Sequence, residues 1–314
     1  MTLTVFTPTY NRADTLRRTF ESLAQQTSRD FMWLIVDDGS TDSSGEVVAA
    51  WKAKADFQID YLYQRNAGKH NAHNAAVSRS VTELFLILDA DDELMPHAVE
   101  VITAEWRRME TEEKTRIAGI WTLSCTPDGK ICGDEFPAGI LDSSLQALHY
   151  QYRCKGERLP CFTTAILRQH PFPQTPPGQC SYISEGYVWT AITRRYLVRF
   201  LNVPCRVYHE GAGLSFMSRD EYRMSRSVVY GYVAPLAHHL EWFWYAPVSF
   251  LFSATQAVRY GLFCGELLRI AKTLCWRARA LMLAGLPLAV LLLARDYING
   301  RIARQLRDNQ RRPN

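Results

Sequence analysis

The sequence predicts an α/β protein: a mostly parallel sheet flanked by helices, followed by a helical C-terminal extension. Three observations carry this. Apolar runs of strand length alternate with segments of helical periodicity through the first 120 residues or so. The runs end abruptly in polar residues, most sharply in "LFLILDADDEL" (Leu84 to Leu94), where a buried strand delivers the chain into Asp89, Asp91 and Asp92. From Tyr230 onward the composition changes to aromatic and aliphatic segments punctuated by arginine.

The elements follow in order. "LTVFTPTY" (Leu3 to Tyr10) reads as a buried strand ending at Pro8, and Leu16, Phe20 and Leu23 then recur at helical spacing. "FMWLIVDDGSTD" repeats the plan: a strand runs to Val36, acids and glycine follow, and Ser43 with Glu46 forms a capping box for a helix carrying Val47, Val48 and Trp51. "IDYLY" is a third strand, "GKHNAHNAAVSRS" a helix, and "LFLIL" a fourth strand. Near Pro96 a helix opens and runs through Val99, Ile102 and Trp106, before the strand "IAGIWTLSC". The alternation then loosens. "TPDGK" is a hairpin turn, and Pro171, Pro173, Pro176 and Pro177 mark a long irregular connection. "CSYISEGYVWTAITRRYLVRFLNVPCRVY" supplies an acid, a helix-like segment and another strand. The expected division is a domain over 1–225, in halves 1–125 and 126–225, and an extension over 226–314.

A chain of 314 residues with 47% hydrophobic content supports a substantial core and excludes general disorder. The net charge of +4 is unevenly placed, since eleven Lys/Arg stand against three Asp/Glu from Val258 to the end. The eight cysteines contain no Cys-x-x-Cys pair, which argues against a zinc ribbon or a thioredoxin-like site; they read as reduced, mostly buried thiols. No charged n-region precedes an apolar run at the N-terminus, so a cytoplasmic location is expected.

In open parallel sheets, ligands sit beyond the carboxyl ends of the strands. Those ends hold Pro8-Thr9-Tyr10-Asn11, Asp37-Asp38-Gly39-Ser40 and Asp89-Ala90-Asp91, so three polar clusters should converge on one crevice. Asp-x-Asp at a strand end can take a hard cation, Mg²⁺ or Mn²⁺, that also holds phosphate oxygens. The alternative is helix capping by Asp92 or Glu93 at the start of the Pro96 helix. Neither Gly-x-Gly-x-x-Gly after the first strand nor Gly-x-x-x-x-Gly-Lys-Ser/Thr occurs, which argues against dinucleotide redox chemistry and P-loop phosphoryl transfer. Nothing in the first half pairs a basic groove with stacking aromatics, so nucleic acid is not an expected partner.

"TVFTPTYNRADTLRRTFESLAQQT", "WLIVDDGSTD", "NAGKHNAHNAAV" and "LILDADD", in this order, resemble the N-terminal half of glycosyltransferase family 2 enzymes with the GT-A fold. The resemblance covers about the first hundred residues. It implies a nucleoside-diphosphate-sugar donor, expected to be a UDP-sugar, bound by the 1–125 half: Pro8, Thr9, Tyr10 and Asn11 around the base, Asp38 at the uracil edge with Asp37 beside it, and Asp89 with Ala90 near the ribose. Asp91, with Asp89, would hold Mn²⁺ or Mg²⁺ on the diphosphate. Gly68, Lys69 and Asn74 match the family's segment before the fourth strand; Lys69 either approaches the donor or is a solvated helix-start lysine. "SYISEGYVW" resembles the segment that supplies the catalytic base of inverting members, placing Glu185 in that role, with capping of the following helix as the alternative. Gly186 stands where many relatives carry a second acid. Tyr187 and Trp189 are candidates for an acceptor wall, one of them for the core. His209 stands roughly where some GT-A enzymes place a further metal-ligating histidine, and a structural histidine is the alternative.

The implied reaction is transfer with inversion to a glycan acceptor, lipid-linked, in bacterial surface polysaccharide synthesis. Two rivals are a sugar nucleotidyltransferase, which the missing glycine-rich opening disfavours, and a non-catalytic nucleotide-sugar-binding assembly subunit. In the C-terminal part, "RYGLFCGELLRIAKTLCWRARA" places Arg269, Lys272 and Arg279 on one side of a helix, a pattern suited to an anionic membrane surface. "ALMLAGLPLAVLLLA" (Ala280 to Ala294) is uncharged, but its fifteen residues would reach only about 22 Å as a helix, with Pro287 interrupting. This favours attachment to the inner face of a membrane over a span, the alternatives being a helical appendage or a homodimer contact. The arginines of the tail (Arg295, Arg301, Arg304, Arg307, Arg311, Arg312) suit a cytoplasmic membrane face or a solvated end.

Overall fold

The first four apolar runs become β1 (Leu3–Thr9), β2 (Phe31–Asp37), β3 (Gln58–Tyr63) and β4 (Leu84–Ile87) in the computed structural model. It describes residues 1–138, 142–174, 182–209 and 225–299. These strands pair in parallel in the order β3-β2-β1-β4, with Leu3 beside both Phe31 and Leu84. Helices α1 (Ala13–Ala24), α2 (Ser44–Lys52) and α3 (Lys69–Arg79) make the crossovers. Burial on both faces explains the unbroken apolar runs: every residue of β2 and β4 is buried.

Past β4 the sheet is mixed. Its remaining strands are β5 (Glu93–Leu94), β6 (Ile117–Cys125), β7 (Asp142–Ser143), β8 (Arg158–Thr163) and β9 (Leu197–Val207), in the order β4-β8-β6-β9-β5 with β7 also on β9. β8 is antiparallel to both β4 and β6, whereas β6 and β9 run parallel. Helices α4 (Ala98–Arg108), α5 (Thr111–Arg116) and α6 (Thr164–Gln169) accompany these strands, and α7 (Gly186–Thr193) precedes β9. Phe20 stacks on Trp51 with ring centroids 4.7 Å apart, and buried Trp33 satisfies its indole N–H on Thr7 Oγ1 at 2.9 Å.

Several local expectations are corrected. Ser43 makes no side-chain cap on α2; Asp42 Oδ1 does, accepting Ser44 N–H at 3.0 Å and its hydroxyl at 2.6 Å. Of the seven described cysteines, all free thiols, three are buried, three half-buried and Cys275 exposed, so burial is less general than expected; Cys180 lies outside the described residues. The "TPDGK" turn forms, closed by Thr126 N–H to Lys130 O at 2.8 Å. In the proline-rich connection, Asn74 pins Phe172 by two reciprocal hydrogen bonds of 2.9 Å, while Pro176 and Pro177 lie outside the described residues.

The chain divides into two compact units, Met1–Gly178 with Ala191–Gly213, and Gln179–Thr190 with Leu214–Asn314. Described helices of the second are α8 (Ser225–His238), a 3₁₀ segment (Leu240–Tyr245), α9 (Pro247–Phe263), α10 (Leu267–Thr273) and α11 (Trp276–Ile298). The single basic helix expected across Arg259 to Ala280 is broken at Gly265, whose φ is +75°, and again at the extended Leu274 and Cys275. Conversely, Pro287 does not interrupt α11. At 23 residues it is about 35 Å long, and long and apolar enough to cross a membrane by length and composition, which corrects the expectation of a 15-residue segment. Arg301, Arg304, Arg307, Arg311 and Arg312 lie outside the described residues.

Candidate functional site

The strand order makes the predicted convergence real within the first unit. β1 lies between β2 and β4, and the chain winds one way from it to β2 and β3 and the other way to β4. The carboxyl ends of β1, β2 and β4 are therefore neighbours. Thr9 pairs with Asp37, and Asp38 N–H continues the ladder to Thr9 O at 2.8 Å.

Asn11, at a left-handed φ of 52°, clips the first two loops together. Its N–H reaches Ser40 Oγ at 2.9 Å, and its Oδ1 accepts Thr41 N–H at 2.7 Å. Gly39 has φ +88° and leaves no room for a Cβ, which would meet Asn66 N at 2.8 Å. Asp37 accepts Ser40 N–H at 2.7 Å and the Tyr61 hydroxyl at 2.6 Å; burial and this carboxylate together push the Tyr61 phenol up. Asp38, 5% exposed, takes Gln64 Nε2 at 2.7 Å and Ala67 N–H at 2.8 Å on one oxygen, and Gly68 N–H at 2.7 Å on the other. Pro8 and buried Thr9 sit at the strand end, and Tyr10 beyond them is 48% exposed, open to a planar ligand.

The acids after β4 each face a basic side chain. Lys69 Nζ, from the first turn of α3, is 2.6 Å from Asp89 Oδ1, and Arg12 Nη1 is 3.7 Å from Asp91 Oδ2. Arg18 Nη1 donates to Asp91 O at 3.1 Å. Arg206 Nη1, from β9, stands 3.4 Å from Asp92 Oδ2, and His209 Nε2 is 2.6 Å from Glu93 Oε1. Burial pushes the Asp89 carboxyl up, but the Lys69 ammonium, helped by Arg206 and Arg12, outweighs it and holds the group below the usual carboxylate range. At Asp92, 1% exposed, burial wins over Arg206 and the carboxyl is pushed up to about 7. Ala90 is buried between them.

These donors fit a hard divalent cation only in part. Asp89 and Asp91 offer carboxylate oxygens on side chains 38% and 26% exposed. Among the described residues no group of three or more His, Cys, Asp or Glu gathers as a cage, so water and ligand oxygens would complete the shell. His209 is turned to Glu93 and, through its N–H, to Asp92 Oδ1 at 3.1 Å. Arg12, Arg18 and Arg206 were not among the expected site residues. A signal existed only for Arg206, an arginine in the apolar run "LNVPCRVY".

Glu185 belongs to the other unit, at the entrance of α7, where its carbonyl accepts Val188 and Trp189 N–H at 3.0 Å each. Of the two aromatic candidates beside it, Trp189 is buried at 4% exposure and Tyr187 is half-buried, edge-on to Tyr230 and His238 at 5.6 and 5.1 Å.

Residues 4–112 match the family model described as glycosyl transferase family 2. An uncharacterized glycosyltransferase of Nostoc sp. is 37% identical over 102 residues, covering 32% of each chain. The aligned stretches span at most about a third of the length of the curated relatives first matched. The fold is shared with a Staphylococcus aureus protein, TarS 1-349, solved in complex with UDP-GlcNAc (TM-score 0.58, 17% identity, 96% of this chain and 92% of that one). It is also shared with the mannosyltransferase PcManGT of Pyrobaculum calidifontis, solved with GDP-Man and Mn²⁺ (TM-score 0.53, 17% identity, 96% and 84%). Residues 4–112 of this GT-A-fold chain thus carry the sequence pattern of glycosyltransferase family 2.

Proposed function

We propose that this chain is a metal-dependent glycosyltransferase that moves a sugar from a nucleoside-diphosphate sugar, of the UDP-sugar class, to a hydroxyl of a glycan acceptor with inversion. The acceptor is a lipid-linked glycan of a bacterial surface polysaccharide, met at the cytoplasmic face of the membrane. One observation carries the chemistry: the half-buried acids Asp89 and Asp91 and the cations Lys69 and Arg12 meet at the carboxyl edge of β1 and β4. Such an edge offers opposite charges to the two halves of a metal diphosphate.

On this reading Tyr10 lies against the base beside Pro8, Thr9 and Asn11, while Asp37 and Asp38 shape the base end and Gly68 closes it. Asp89 and Ala90 border the ribose, and Lys69 and Arg12 meet phosphate oxygens. Asp91, with Asp89, would hold Mn²⁺ or Mg²⁺, which when bound neutralises the departing diphosphate. Glu185 accepts the proton of the acceptor hydroxyl as that oxygen bonds to the anomeric carbon and the bond to phosphate breaks. His209 orients Glu93 or joins the metal. The Mn²⁺ and nucleotide-sugar complexes of the fold neighbours support the donor and cation classes.

Purified protein with Mn²⁺ should release UDP from at least one UDP-sugar, and Asp91→Ala should lower that rate at least about a hundredfold while leaving the circular dichroism unchanged. Failure to bind or cleave any UDP-sugar, together with undiminished transfer by Asp91→Ala in cells, would refute the reading.

A further inference from the structure

Helix α11 has two unlike faces. Ala278, Met282, Gly285, Ala289 and Asp296 are buried and fall on one stripe. They lie over α9, where the crossing is tight: a Cβ on Gly285 would stand 2.8 Å from Thr255 Oγ1 and 3.0 Å from its Cα. Arg259 of α9 pairs with Asp296, both buried, and fastens the far end. The covered stripe is therefore about 27 Å long, nearly the whole helix.

The other face carries no charge from Ala280 to Ala294, yet it is open, with Leu283 69% and Leu291 66% exposed and Leu288, Val290 and Ala294 also exposed. A solvent-facing helix surface ordinarily carries charge. The ends are different. Arg277 and Arg279 follow the exposed Trp276, Lys272 stands exposed just before it, and Arg295 precedes the exposed Tyr297. The two acids between Val258 and Asn299, Glu266 and Asp296, are ion-paired within the same unit, to Arg269 and to Arg259 and Arg295. An uncharged strip edged by net positive charge and by amphipathic aromatic rings complements an anionic lipid surface.

We propose that α11 is an in-plane membrane anchor: its outer face sits at the boundary of headgroups and acyl chains of an anionic leaflet, and it does not span the bilayer. A spanning α11 would carry α9 with it along its covered stripe, taking Gln256 and Arg259 into hydrocarbon. The inference rests on the membrane part of the reading above and not on its chemistry.

The test is flotation of the full chain with phosphatidylcholine vesicles, with and without phosphatidylglycerol, beside UDP release measured without vesicles so that the chemistry is judged separately. Wild type should float with the anionic vesicles and about tenfold less with Leu283→Glu/Leu291→Glu, and Lys272→Gln/Arg277→Gln should remove the preference for phosphatidylglycerol. In floated protein, Cys275 and a cysteine placed by Asn299→Cys should both react with a membrane-impermeant maleimide added outside. Protection of one end would mean a span, and flotation unaltered by the leucine pair would put the contact elsewhere. An absence of flotation with a dimer that the leucine pair dissociates would assign the face to a second copy. Each of these overturns the proposal.

Discussion

Replacing Asp38 by alanine separates anchoring from ligand binding at this site. Its carboxylate is almost buried and accepts three donors, two of them the backbone N–H groups of Ala67 and Gly68 that lead into α3. Hydrogen bonds to a charged acceptor contribute about 1.5–3 kcal/mol each. Gln64 is half-buried and can turn to water, so its bond is discounted. The two backbone donors, partly rehydrated at the rim of the sheet, leave a loss of about 3 kcal/mol. For a unit of this size that lowers Tm by about 6–12 °C, read by thermal unfolding with urea titration as a check that the m-value is unchanged. Asp38→Asn, which keeps one acceptor oxygen, should fall between the two. If Asp38→Ala loses less than about 1 kcal/mol while nucleotide affinity collapses, the carboxylate serves the ligand alone and the anchoring argument fails.

Gly119 in β6 faces the β8 backbone so closely that a Cβ would stand 2.0 Å from Cys161 O; Gly119→Ala should cost at least about 3 kcal/mol or yield insoluble protein, and a soluble variant with native Tm would disprove the contact. Arg199, 4% exposed, holds Asp142, Glu105 and Glu113 at 2.6–3.0 Å; Arg199→Met leaves three carboxylates facing one another, and urea unfolding should show a loss of about 3–5 kcal/mol. His73, packed among Phe6, Phe85 and Phe172, is pushed down to about 3 by burial, then by the Lys69 charge. A depressed folded pKa means that the unfolded chain takes the proton first, so stability present above pH 6.5 is lost as pH falls toward 3, by about 2.5 kcal/mol at a pH of about 4.5. His73→Leu should flatten the acid limb of stability against pH by about one proton, and an unaltered slope would contradict the burial.

The parallel half was legible because burial on both faces writes its strands as continuous apolar runs. The same holds in the mixed part for the wholly buried β6, with which "IAGIWTLSC" coincides residue for residue. β5 was not, because two residues carry no period, nor was β8, whose Arg158 and Pro160 disguise a strand made by distant partners. The cap on α2 went to Asp42 since a carboxylate one residue earlier reaches the same N–H groups. In the C-terminal unit Pro287 was read as a breaker, but its position on the exposed face of α11 means that the missing hydrogen bond and the ring disturb no packed neighbour. Acids at a strand end stand out in a sequence. Their cations do not: Arg206 arrives from β9, more than a hundred residues later, and only the pairing of β9 with β5 brings it to Asp92.

Those cations also answer why a buried strand can end in four acids within five residues. Asp89, Asp91 and Asp92 face Lys69, Arg12 and Arg206, and Glu93 lies 4.0 Å from Arg18 and 2.6 Å from His209 Nε2, so each acid has a basic side chain beside it before any ligand arrives. The balance has a consequence for the proposed reaction. Turning Lys69 and Arg12 toward phosphate oxygens would weaken their contacts with Asp89 and Asp91 and leave those carboxylates with less countercharge. A divalent cation on Asp89 and Asp91 would in turn repel Lys69 and Arg12, a cost that an anion beside those two side chains relieves. Either exchange alone strands charge in a partly buried crevice, whereas both together keep every charge matched. Affinity for the donor and for the cation should therefore rise together, each by the same factor, as linkage demands of two ligands that share one set of partners.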